Sequence, residues 1–171
     1  MKSESPLLPS ATNQQAPVSA RVLCLGNDLL ADDAFGHVVA DRLRAVLPSS
    51  VEVVFTSASG FDLLDDVLSA ERLVVVDTIQ TGKSPPGTIL VVNEGDISSA
   101  PGESPHYVGL FETLRLGRRL DMPVPREVTI VAVEADDCRT VGGAMTPPVQ
   151  AAVPKVVALV KELVAGIRAA T

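Results

Sequence analysis

Residues 73–79 read LVVVDTI, and the first four are branched and apolar with no polar residue alternating between them. A strand with one face in water alternates apolar and polar side chains, whereas a strand covered on both faces does not. The run therefore predicts a central strand with helices packed above and below it. A chain built around such a strand must connect parallel neighbours through helical crossovers, which restricts it to the layered α/β architectures.

The rest of the chain supplies the required parts. Residues 21–25 are a second predicted strand, apolar from Val22 to Leu25 and closed by Gly26 and the turn Asn27-Asp28. After Asp32-Asp33, the residues Ala34, Phe35, Val38, Val39, Arg42 and Leu43 recur at steps of three and four, which predicts a helix over 32–47. Further strands are predicted at 51–55, 88–93 and 127–134, and further helices at 61–70, 107–120 and from Thr146-Pro147-Pro148 to about 169. Thr146 is placed as the cap of that last helix, and Pro154 should kink it or mark its true start. The link over 80–87 is too short for a helix, so the fourth strand should run antiparallel to the third. The expected fold is a three-layer α/β sandwich: a twisted, mostly parallel five-stranded sheet with one antiparallel strand and helices on both faces. Residues 1–20 are rich in Ser, Pro, Gln and Asn without an apolar segment, and are read as a flexible leader to one domain over 21–171.

Composition removes several classes of function. The net charge is −7 and aromatic residues make up 3% with no Trp, which argues against nucleic acid as a partner. No apolar run approaches the length of a membrane span. Two cysteines, Cys24 and Cys138, make neither a disulfide framework nor a zinc knuckle, and Cys24 reads as a small buried apolar residue. A cytoplasmic, reducing location is expected.

Sheets of this kind collect chemistry at the carboxyl ends of their parallel strands. Asp33 follows the first strand, Asp77 ends the run of the third, and His106 precedes the third helix, so all three can meet at one rim. Two carboxylates and an imidazole suit a borderline divalent ion such as nickel, zinc, iron or cobalt. Each also has a plainer role. One of Asp32 and Asp33 can simply complement the helix dipole, Asp77 can start a loop, and His106 can cap a helix. His37, four residues after Asp33, is assigned to packing or solvent, and Asp136-Asp137 beside Cys138 to solvent. Gly26-Asn27 resembles the opening of a phosphate loop, but no complete nucleotide motif follows it. Ser57 and Ser59 lack a nucleophile-elbow context. The residues alone lead to an α/β domain with a candidate metal site.

A resemblance carries the reading further. Residues 25–36, LGNDLLADDAFG, resemble the G-N-x-L-x-x-D-D/E-x-x-G motif of the nickel–iron hydrogenase maturation endopeptidases, peptidase family M52. Ser59-Gly60 with Leu63-Leu64, then Asp77 at its strand, Pro86-Gly87-Thr88, Ser104-Pro105-His106 with Gly109-Leu110, and Met145-Thr146-Pro147 follow in the family's order. The resemblance spans roughly 21–165. It implies an endopeptidase, aspartyl-type or metal-dependent, that removes the C-terminal extension of a hydrogenase large-subunit precursor once nickel is in place. It also implies catalytic and metal-contacting roles for Asp33 and Asp77, a metal-contacting role for His106, and substrate-binding loops at Gly26, Asn27, Ser59 and Gly60. The nickel is expected to arrive with the substrate, although other divalent ions can suit the same donors. The chain departs from the family's pattern at Phe55-Thr56-Ser57-Ala58, where a carboxylate is usual, and at Asp33, where Glu is commoner. A non-catalytic chaperone of the same fold is the competing reading, and a nucleotide-binding domain using Gly26-Asn27 a weaker third.

Overall fold

The computed structural model describes residues 18–93 and 105–169. Its strands are β1 (Ala20–Leu25), β2 (Val51–Thr56), β3 (Arg72–Ile79), β4 (Ile89–Asn93) and β5 (Glu127–Glu134). Its helices are α1 (Phe35–Val46), α2 (Leu64–Val67), α3 (Pro105–Arg119) and α4 (Pro147–Ala169). Single 3-10 turns at Asp32–Ala34 and Gly60–Leu63 lead into α1 and α2. The strands lie in the order β2-β1-β3-β5-β4; the first four are parallel, and β4 is antiparallel to β5. The expected sandwich is the observed fold.

Strand alternation divides the interior into two cores. Val22 and Cys24 of β1, Val74 and Val76 of β3, and Val131 and Val133 of β5 face α1 and α4, where they meet Phe35, Val39, Leu43, Val153 and Val160. Leu23 and Leu25, Leu73 and Val75, and Ile130 and Ala132 face the other way, onto Leu63, Val67, Leu110 and Leu114. Almost every residue named is at most 3% exposed, which is why β3 carries no polar alternation. The chain leaves β1 for β2 on one side and returns to β3 on the other. The crossover direction thus reverses between β1 and β3, and a cleft opens at their carboxyl ends, as in other doubly wound sheets.

Two glycines let the chain turn sharply from β1 into α1. A Cβ on Gly26, whose φ is +143°, would lie 2.2 Å from the Asp33 carbonyl oxygen, and one on Gly36 would lie 2.1 Å from that of Leu25. Only a residue without a side chain allows α1 to press this closely on the strand end.

Several expectations need correction. β4 runs antiparallel to β3, as its short link requires, but it pairs with β5 at the sheet's edge, because the crossover through α3 inserts β5 beside β3. β3 runs to Ile79 as expected, so Asp77, also read as a strand-end, loop-starting residue, is instead a fully buried residue two positions inside the strand. α4 passes through Pro154, which is therefore not its start. The Thr146 carbonyl accepts the first helical bond, from the Gln150 N–H, but its hydroxyl donates to Asp32 at 3.0 Å. Ordered pairing begins before residue 21: Val18 bridges Ala70, and its N–H donates to the Ser69 carbonyl. The remainder of the expected leader, residues 1–17, lies outside the described residues.

Candidate active site

The two adjacent aspartates point in different directions and do different work. Asp32 is fully buried. Its Oδ2 accepts from the backbone N–H groups of Asp136 and Asp137, both at 2.9 Å, and from the Thr146 hydroxyl, while Oδ1 accepts from the Thr146 N–H at 2.6 Å. All of these donors belong to the segment between β5 and α4. Three backbone bonds lace the same two loops together: Ala31 N–H to the Thr140 carbonyl, Asp32 N–H to Asp137, and Gly142 N–H to Leu29. Asp32 is thus the anchor that closes one wall of the cleft.

Asp33 is half-buried at the mouth. Its Oδ2 accepts from the Asn27 N–H at 2.9 Å and its Oδ1 from the Thr78 hydroxyl at 3.0 Å. Each oxygen keeps lone-pair capacity directed away from these donors. The Asn27 side chain is also engaged, accepting from the Leu29 N–H at 3.0 Å. The backbone donor that a phosphate would need is therefore already taken by the chain's own carboxylate, which removes the nucleotide-loop reading of Gly26-Asn27.

Asp77 is fully buried, and its Oδ1 accepts from the Thr78 N–H at 2.8 Å. It lies on the face of β3 that Val75 and Ile79 present to α3. The first turn of α3, with His106 in it, is held to the same end of the sheet by glycine contacts. A Cβ on Gly109 would stand 2.5 Å from Gly60 Cα, and the Thr113 hydroxyl donates to the Gly60 carbonyl at 2.9 Å. The backbone of His106 therefore belongs to the carboxyl-end rim; its side chain lies outside the described residues. Among the described residues no three His, Cys, Asp or Glu side chains are gathered for an ion. Ser59 is exposed just before Gly60, whose φ is +59°.

Three features escaped the sequence reading. Thr78 touches both candidate carboxylates, Asp77 through its N–H and Asp33 through its hydroxyl. Cys138 approaches the Thr78 hydroxyl at 4.0 Å, and burial together with the Asp33, Asp32 and Asp77 carboxylates pushes its thiol up to about 11. Glu134, 1% exposed, accepts from the Thr81 N–H and hydroxyl and the Gly82 N–H, fixing the link to β4. Only the position of Glu134 at a strand end hinted at its role. The other assignments fare unevenly. His37 does pack, edge-on to Phe55 with centroids 4.9 Å apart. Asp137 is more than a solvated acid: the Thr140 side chain, and then the Arg139 and Thr140 N–H groups that donate to its carboxylate, hold it below the usual carboxylate range.

The molecule is an open α/β sandwich with two carboxylates, each bonded to Thr78, near its switch point and the helix start that carries His106 at the same rim. The family model for hydrogenase maturation proteases matches residues 38–163, and the chain belongs to that family. It is 31% identical over 134 residues to the hydrogenase 2 maturation protease of Escherichia coli strain K12, a match covering 76% of this chain and 80% of the relative. It is 29% identical to the hydrogenase expression/formation protein HupD of Thiocapsa roseopersicina, over 84% of this chain and 66% of that protein. Among solved structures, the hydrogenase maturating endopeptidase HybD of E. coli superposes with a TM-score of 0.73 at 28% identity, covering 89% of this chain and 93% of that one. The nickel–iron hydrogenase maturation protease HybD of Thermococcus kodakarensis gives 0.68 at 25% identity, over 85% and 98%. Three of these four are named as proteases or endopeptidases, which favours the enzymatic reading over the chaperone reading.

Proposed function

We propose that the protein is a nickel-dependent endopeptidase of the cytoplasm that removes the C-terminal extension from the precursor of a nickel–iron hydrogenase large subunit. The nickel carried by that precursor is its recognition element. No helix among the described residues is long and apolar enough to cross a membrane, in keeping with a freely diffusing enzyme. The observation that carries the reading is the pose of Asp33, whose half-buried carboxylate is held by one donor on each oxygen and so keeps further accepting capacity for a cation. Asp77 and His106 would complete the donor set, a mixture of hard oxygen and borderline nitrogen that fits nickel. Bound there, the ion would supply Lewis acidity toward the scissile carbonyl. The chain's own part is to present the carboxylates at fixed spacing and to hold the extension along the loops at Gly26, Asn27, Ser59 and Gly60.

The test is to incubate the purified protein with nickel-loaded precursor and follow the large subunit's gel mobility. Asp33→Ala and His106→Ala should abolish the shift. Asp33→Ala should cost about 1 kcal/mol of stability or less, because water can reach the donors it leaves. Normal processing by either variant would overturn the assignment of roles.

A further inference from the structure

We propose that Thr78 is a positioning residue that sets the spacing between the Asp33 and Asp77 carboxylates. The inference rests on the reading of those two acids as the metal-contacting pair.

Asp33 stands on a 3-10 turn at the cleft mouth, where an aspartate side chain is free to change rotamer unless something holds it. Of its two donors, the Asn27 N–H lies in the same loop and moves with it. The Thr78 hydroxyl comes from β3, 45 residues along the chain, and is the bond that ties the carboxylate to the sheet. β3 is the middle strand of the five, and although its pairing with β1 ends at Val76, it stays paired with β5 through Thr78 and Ile79, which makes it a firm reference. Thr78 is 5% exposed, and a β-branched side chain has few rotamers, so its hydroxyl has little freedom of direction.

The donor order follows from valence. An ionised carboxylate only accepts, so the Thr78 O–H must donate to Asp33 Oδ1. The hydroxyl's lone pairs then remain for the Cys138 S–H, whose sulfur is 4.0 Å away. The Thr78 N–H meanwhile donates to Asp77 Oδ1 at 2.8 Å. One residue therefore contacts both carboxylates, one through its backbone and one through its side chain. Substitution can remove the second contact and leave the first.

Thr78→Val is nearly isosteric and removes only the hydroxyl, whereas Thr78→Ser keeps it. Processing of nickel-loaded precursor by Thr78→Val should fall at least ~tenfold in kcat/KM, the effect of losing one positioned charge-assisted hydrogen bond. Thr78→Ser should stay within about threefold of the parent. A second readout needs no substrate: the three-bond proton couplings of Asp33, measured by NMR. They should report one side-chain rotamer in the parent and in Thr78→Ser, and averaging in Thr78→Val. If Thr78→Val does not fold, Thr78→Ala carries both measurements in its place. Parental rates, or couplings that stay unaveraged without the hydroxyl, would overturn the proposal. A parent protein that cuts no precursor would instead sink the functional reading, leaving the couplings to decide whether Thr78 orders Asp33.

Discussion

Asp32 and Asp33 are chemically identical neighbours, and the fold gives them opposite duties. Asp32 satisfies four donors from a segment more than 100 residues away, so its charge is spent on structure. An amide in its place keeps one accepting oxygen and turns an N–H₂ toward donors that cannot receive it. Hydrogen bonds to charged groups contribute ~1.5–3 kcal/mol each, and unsatisfied buried donors cost a similar amount. Asp32→Asn should therefore lower stability by about 3 kcal/mol, seen as a fall in the urea midpoint with an unchanged slope. A change below about 0.5 kcal/mol would mean that the loop holds itself together without the anchor. The sequence could say that one of the pair was structural but not which one. The answer lies in backbone N–H groups of the loop after β5, and backbone donors have no signature in side-chain identity. Thr78 was invisible for a related reason, since a threonine at the end of a buried strand is ordinary until its hydroxyl is seen to meet Asp33.

At the scale of elements, the site depends on how closely α3 approaches the 3-10 turn before α2. Gly109 lies one turn after His106 and faces Gly60 with no room between them. A methyl group there would fall 2.5 Å and 2.6 Å from Gly60 Cα and N, and backbone atoms cannot rotate aside. Gly109→Ala should push the start of α3 away from the rim, costing about 2 kcal/mol in stability and reducing processing by more than that loss alone explains. Urea unfolding and the precursor mobility assay, run on the same preparation, separate the two effects. Wild-type behaviour in both would show that α3 adjusts freely. The elements themselves were legible because apolar runs and helical spacing are local properties: β5 matches its expected bounds, the other strands fall within one residue of theirs, and α1 starts three residues late only because its first turn is a 3-10 turn. The slot taken by β4 was not legible. Its short link fixes direction only, and its neighbour is chosen by where the later α3 crossover delivers β5.

At the scale of the whole molecule, one sheet serves two cores, and a group buried in the sheet couples its own ionisation to the stability of the entire fold. Cys24 is such a group: it lies in β1, inside the core shared with α1 and α4, and burial pushes its thiol up from 9.0 to about 12, with Arg44 opposing slightly and Asp77 adding a little. In the unfolded chain the same thiol loses its proton near its ordinary value. Between the two values the unfolded state binds fewer protons than the folded one, so stability is flat below about pH 9 and falls as pH rises toward 12. Cys138 adds a weaker loss in the lower part of this window, reduced because its thiol is only partly buried. At about 1.4 kcal/mol per pH unit, Cys24 alone should remove roughly 3 kcal/mol by pH 11. Cys24→Ala should start about 1 kcal/mol less stable at pH 8, because it leaves a small void. It should then lose less on titration, so that the two stability curves approach and cross before pH 11. Urea titrations followed by circular dichroism at half-unit steps from pH 8 to 11 give both curves. Parallel curves would mean that β1 opens locally and ionises its thiol without unfolding the rest, and the sheet could not then be treated as one cooperative unit.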